Sequence, residues 1–222
     1  MRRPVTWLLG AAFALFLIGV AVIALTAPVF THYVALKTSL TSEAGLPQAS
    51  MLQVAEAVRK FVTDVEAPPL PAIVDGRAGF DPGAVAHLVD VRTVLSGARV
   101  VTGLLAAVLA VAIGFEVARK RTDLLADGLF AGAIITVVFV ALAVVAGTMN
   151  FDAFFSAFHG LFFKAGTWTF PYDSLLIETF PESFWMTAGV AWGALALLGA
   201  GAMTVVGRAL RRGNRGREGR VA

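Results

Sequence analysis

Three histidines, His32, His87 and His159, and no cysteine set the range of chemistry open to this chain. An imidazole titrates near neutrality and can act as general base, general acid or metal ligand. The lack of thiols removes a disulfide framework, a thiolate nucleophile and any Cys-based metal site. His87 lies in the run AHLVDVR, with Asp90 three residues on. On a helix that spacing lets a carboxylate orient one ring nitrogen, and it equally suits a partly buried surface histidine paired with a local acid. His159 would share a helical face with Asp152, Phe155 and Phe163. Such an apolar setting keeps an imidazole neutral, as a base must be, although a satisfied interfacial histidine fits it too. His32 reads as an interfacial residue. Zinc would need a tight ligand cluster, and there is neither HExxH nor a close histidine pair, so neither a metal nor a cofactor is expected. GxSxG, SxxK and phosphate-loop patterns are also absent, which removes serine hydrolases and nucleotide-dependent enzymes. Glu182, following Pro181, reads as an acid at a helix start.

The elements that must position these residues follow from hydropathy. With 58% apolar and 15% charged residues among 222, the composition is far from that of a soluble domain. Four stretches, about 7–30, 100–117, 128–149 and 184–206, are long and apolar enough to cross a bilayer. The first is preceded by Arg2 and Arg3, and its length together with Pro28 marks an uncleaved anchor rather than a signal peptide. The expected fold is an all-α integral membrane protein, one membrane domain over 1–222, with amphipathic helices in two extracytoplasmic loops.

Basic flanks give the orientation. Four spans put Arg2, Arg3, Arg119, Lys120, Arg121, Arg208, Arg211, Arg212, Arg215, Arg217 and Arg220 on one side with four acids. The other side receives seven basic and eleven acidic residues, so both termini and the basic tail 207–222 should be cytoplasmic. The loops 31–99 and 150–183 then carry all three histidines outside. In the first loop, Met51, Ala55, Val58, Val62 and Val65 recur at helical spacing opposite Glu56, Arg59, Lys60 and Asp64. The proline-rich stretch 66–81 forbids regular helix, and Asp81 followed by Pro82 opens a second one. In the other loop Phe151, Phe154, Phe155, Phe158 and Phe162 form an aromatic stripe suited to the membrane interface. No span is interrupted by charge, which argues against an ion-coupled transporter. The bias of charge gives no reason to expect a nucleic-acid partner.

The segments AHLVDVR around His87 and FxxFHxLFF around His159, followed by a tryptophan and LIETFPESFW, resemble the bacterial lipoprotein intramolecular transacylase family over nearly the whole chain. The resemblance implies an acyltransferase of the bacterial cytoplasmic membrane. It would move the sn-2 acyl chain of a diacylglyceryl-cysteine to that cysteine's α-amino group and leave a lyso-form lipoprotein. It assigns catalysis to His87 and His159. Asp90, Phe155, Phe158, Trp168 and Asp173 are candidates for substrate binding beside them, although the tract around Asp173 departs from the family's pattern. Diacylated lipoproteins and membrane lipids would be the partners of a monomer. A non-catalytic accessory membrane protein and a lipid or lipoprotein hydrolase are the alternatives.

Overall fold

A computed structural model of the chain describes residues 2–38, 46–120 and 122–218, with side chains over 3–38, 46–120 and 122–214. Arg121 and Arg220, counted above among the basic flanks, lie outside the described residues, as do the side chains of Arg2, Arg215 and Arg217. The elements in order are α1 (Arg2–Leu25), α2 (Pro28–Thr38), α3 (Gln48–Thr63), β1 (Ile73–Val74), β2 (Arg77–Ala78), α4 (Pro82–Ala118), α5 (Asp123–Met149), α6 (Phe151–Gly160), α7 (Leu175–Thr179) and α8 (Glu182–Glu218). Helices α1, α4, α5 and α8 each contain a window apolar enough to cross a membrane. The protein is an all-α, multi-pass membrane protein. Its residues form two compact units, and α1, α4 and α8 contribute to both.

One unit comprises Met1–Ala21, Arg99–Met149 and Gly193–Ala222. Phe13, Leu109 and Leu129 form its buried cluster, while Val100, Leu104, Val108, Val111, Leu142 and Val145 stay more than half exposed. In water such surface would drive aggregation; against lipid tails it is the required exterior. With no hydrophobic drive between helices in hydrocarbon, close backbone approach supplies the packing. A Cβ on Gly10 would stand 2.6 Å from the Cβ of Ala131, so α1 and α5 meet where neither carries bulk. Arg211 pairs with Asp127 at 2.5 Å and lies over the Phe130 ring, and the Asn214 amide donates to Asp123, which ties α8 to the start of α5.

The other unit comprises Val22–Ala98 and Asn150–Trp192. The α1 helix closes at Leu25, because Pro28 disfavours helix in the residue before it, and the same proline then opens α2. In α3 the stripe Met51, Val54, Ala55, Val58 and Val62 is buried. Val65, expected on that stripe, is 97% exposed, because the helix has already ended at an extended Asp64. The principal core joins Val34, Ala55, Val58 and Val62 with Ala84, Leu88, Leu176, Phe180 and Phe184. The proline-rich connector contains a β1–β2 hairpin, turned by Asp75 and Gly76 with φ of 48° and 80°. This is the Asp-Gly pair of a type I′ turn. The Asp81 carboxylate accepts from the Ala84 N–H and caps α4. From there α4 runs unbroken into the second apolar stretch, since Gly97 costs helix only about 1 kcal/mol and no proline intervenes.

Candidate functional site

His87 is on the second turn of α4, well before the charge-free stretch that follows Arg99, and Leu88 and Ala84 beside it are core residues. Arg92, one turn further, donates to the carbonyl oxygens of Phe61 and Val65 at 2.6 Å each. The same contacts satisfy an orphan carbonyl in the last turn of α3 and one just beyond that helix, and they fix the rotation of the helix that presents His87. His159 ends α6. That helix is separate from α5 because Asn150 adopts an extended conformation and its side-chain oxygen accepts from the Ala153 N–H at 2.9 Å.

The two rings meet with centroids 6.1 Å apart and planes at 28°. Each residue is only 7% exposed. The surround is aromatic. Phe155 lies 3.9 Å from His159 and Trp168 lies 4.8 Å from it, centroid to centroid. Phe163 meets His87 edge-on at 4.9 Å, and Phe170 is 5.6 Å from the same ring. Phe158, about half exposed, presents its edge to His159 at 5.6 Å.

Burial pushes the pKa of both histidines below the usual 6.5, since removing the ring from water disfavours the charged form. For His87 the neighbouring His159 adds to the fall, and the negative charge of Asp90 opposes it. For His159 the hydrogen bond to the Phe155 carbonyl opposes it. That bond spans 2.9 Å from Nδ1. In the neutral ring it requires the proton on Nδ1, which leaves the Nε2 lone pair available. His87 has no such anchor: its Nδ1 is sealed from solvent without a partner. The arrangement holds one imidazole in a fixed tautomer suited to accepting a proton, and a second that is neutral and uncommitted.

The remaining sequence candidates divide. Phe155, Phe158 and Trp168 are at the histidine pair. Asp90 is exposed and forms no hydrogen bond with His87, so it reaches the ring only as a charge. The exposed Asp173 contributes its backbone carbonyl, which accepts from Arg77; Arg77 also pairs with Glu178 at 2.5 Å. Phe163 and Phe170 complete the aromatic wall and had no place among the candidates. Phe163 follows His159 by four residues, and that spacing was the available signal; Phe170, in an irregular segment, offered none. His32 is on α2, with no contact to either of the other histidines among the described residues. No group of three His, Asp or Glu with the arrangement of metal ligands occurs among those residues.

The family model described as lipoprotein intramolecular transacylase Lit matches residues 6–185. No curated protein matches the chain. Among solved structures, the fold is similar to that of the membrane integral lipoprotein intramolecular transacylase Lit from Bacillus cereus, with a TM-score of 0.83 at 19% identity over 97% of this chain and 98% of that one. Two further structures of the Bacillus cereus protein, in which a histidine is replaced by Arg or by Ala, each give a TM-score of 0.74 at 17% identity. They cover 97% of this chain and 94% and 96% of theirs, and at these identities the likeness speaks for the fold.

Proposed function

This chain belongs to the lipoprotein intramolecular transacylase family, and from that premise we propose that His159 and His87 together move the sn-2 acyl chain of a diacylglyceryl-cysteine onto the cysteine's own α-amino group. The observation that carries this reading is the contact of two neutral histidines from separate loops inside one aromatic enclosure. The amine, which titrates near pH 8, reaches the site partly as its neutral form. As its nitrogen attacks the ester carbonyl, Nε2 of His159 takes the proton that nitrogen sheds. The Phe155 carbonyl, bonded to Nδ1, steadies the imidazolium that results. The tetrahedral intermediate then breaks its bond to the glyceryl oxygen, and His159 returns the proton to that oxygen. His87, with a free choice of tautomer, turns a ring N–H toward the oxyanion. Nucleophile and ester sit in one molecule, so a cyclic near-attack geometry provides much of the rate and no acyl-enzyme is needed.

Phe155, Phe158 and Phe163 would accommodate acyl chain beside the ester while holding water away from it. Exclusion of water separates transfer from hydrolysis. The excess of basic residues beside the tail supports an orientation with both termini cytoplasmic and the histidine pair outside, where lipidated lipoproteins reside. Purified protein mixed with a synthetic diacylglyceryl-cysteine lipopeptide should yield a product of unchanged mass whose amine is acylated. A product lighter by one acyl chain, with its amine free, would contradict transfer.

A further inference from the structure

A third group in the enclosure has the chemistry of an oxyanion donor. The indole Nε1–H of Trp168 is sealed from solvent and has no hydrogen-bond acceptor. Indole nitrogen only donates, and leaving such a donor buried and unpaired is costly. The other tryptophan of this wall shows the ordinary outcome: Trp185, 6.1 Å from Phe155, donates its indole N–H to the Phe180 carbonyl at 3.1 Å. Trp168 lies with its ring 4.8 Å from His159 and 6.4 Å from Phe155. Around that point the donors are few. The Nδ1–H of His159 is committed to Phe155, which leaves His87 as the only other ring with an N–H to offer among the described residues there.

We propose that the Trp168 indole N–H donates to the sn-2 carbonyl oxygen of the bound lipoprotein and holds that oxygen as it becomes the tetrahedral oxyanion. This rests on the transacylase reading above. When the amine nitrogen bonds to the carbonyl carbon, the carbonyl π pair moves onto oxygen, where the indole N–H and His87 meet it. When the bond to the glyceryl oxygen breaks, the pair returns; no bond to Trp168 forms or breaks. The ester reaches the N–H as the acyl chain parts the surrounding aromatic rings.

Trp168→Phe keeps an aromatic filler and removes the donor. Expected with the lipopeptide is a fall in kcat on the order of a hundredfold, with KM changed by no more than about threefold, because a group that acts on the oxyanion contributes little to ground-state binding. The thermal midpoint should stay level or rise, since an unpaired polar group has been removed. A merely structural tryptophan predicts the reverse pattern, a lowered midpoint and a raised KM. A second measurement does not depend on turnover. In wild-type protein labelled with nitrogen-15 at tryptophan, with Trp168→Phe identifying the signal, the Trp168 indole proton should move downfield on saturation with a lipopeptide whose α-amine is acetylated and cannot react. An unmoved resonance, or a folded Trp168→Phe protein with kcat within twofold of wild type, overturns the assignment. Wild-type protein that shifts the resonance but gives no N-acyl product would strike the transacylase reading and leave the donor contact standing.

Discussion

At the scale of single residues, burial keeps two imidazoles neutral. Because both pKa values are lowered, the base form of His159 survives to more acidic pH than an exposed histidine would allow. The acid limb of kcat should therefore have its inflection below about 6.5, with activity lost as pH falls through it. A profile of kcat against pH on saturating lipopeptide checks this, and an inflection at or above that value would show that the controlling group is not a buried histidine. The two rings should also differ in what can replace them. His87→Gln keeps an amide N–H and should retain more activity than His87→Ala, whereas His159→Gln removes the base and should cost about 10²–10⁴-fold in kcat. The apolar character around His159 was legible in the sequence from the spacing of Phe155 and Phe163. The fixed tautomer was not, because it depends on the His159 ring turning its Nδ1 back onto a backbone carbonyl one turn earlier. Nor was the failure of Asp90 to bond His87, since helical spacing permits that contact without enforcing it.

At the scale of elements, small devices hold the helices that carry these rings. The β1–β2 hairpin projects Arg77 onto Glu178, whose side chain is 5% exposed against 31% for the arginine. Removing one partner of a buried pair leaves the other charge uncompensated and costs roughly 3–5 kcal/mol, less here because the arginine is partly solvated. Arg77→Ala should lower the thermal midpoint clearly, while Lys60→Ala, which loses only a 3.8 Å surface contact with Glu56, should leave it nearly unchanged. Equal midpoints for the two variants would show that the hairpin does not brace α7. Gly10→Leu tests helix approach in the same way. A side chain cannot be placed 2.6 Å from the Cβ of Ala131 without moving a helix, so a marked loss of stability in detergent is expected. The start of α4 was readable from Asp81 and Pro82, and the stripe of α3 from its period. The hairpin is harder to read although Asp75-Gly76 is its ordinary signal, because the prolines before it mark only a connector. The ends of α1 and α3 moved from their expected places for local reasons, Pro28 in one case and the extended Asp64 in the other.

At the scale of the whole molecule, hydropathy alone located four apolar stretches, because lipid imposes a length and a composition that no tertiary contact can override. The meeting of His87 and His159 was not available by that route. They belong to segments far apart in the chain, and no periodicity relates them; only the likeness of AHLVDVR and FHGLFF to a known family joined them in advance. Orientation rests on the distribution of basic residues. A reporter active only outside the cytoplasm should be active when fused after Gly76 or Gly166 and silent after Asp123 or at the C-terminus. The opposite pattern would put the histidine pair on the wrong side of the membrane for its substrate. The most direct test of the central claim is mass spectrometry of the N-terminal lipopeptide from cells producing wild-type, His159→Gln or His87→Ala protein at equal membrane levels. Lyso-form peptide with an acylated amine is expected from wild type alone, and the same product at wild-type yield from either histidine variant would contradict the two-histidine account.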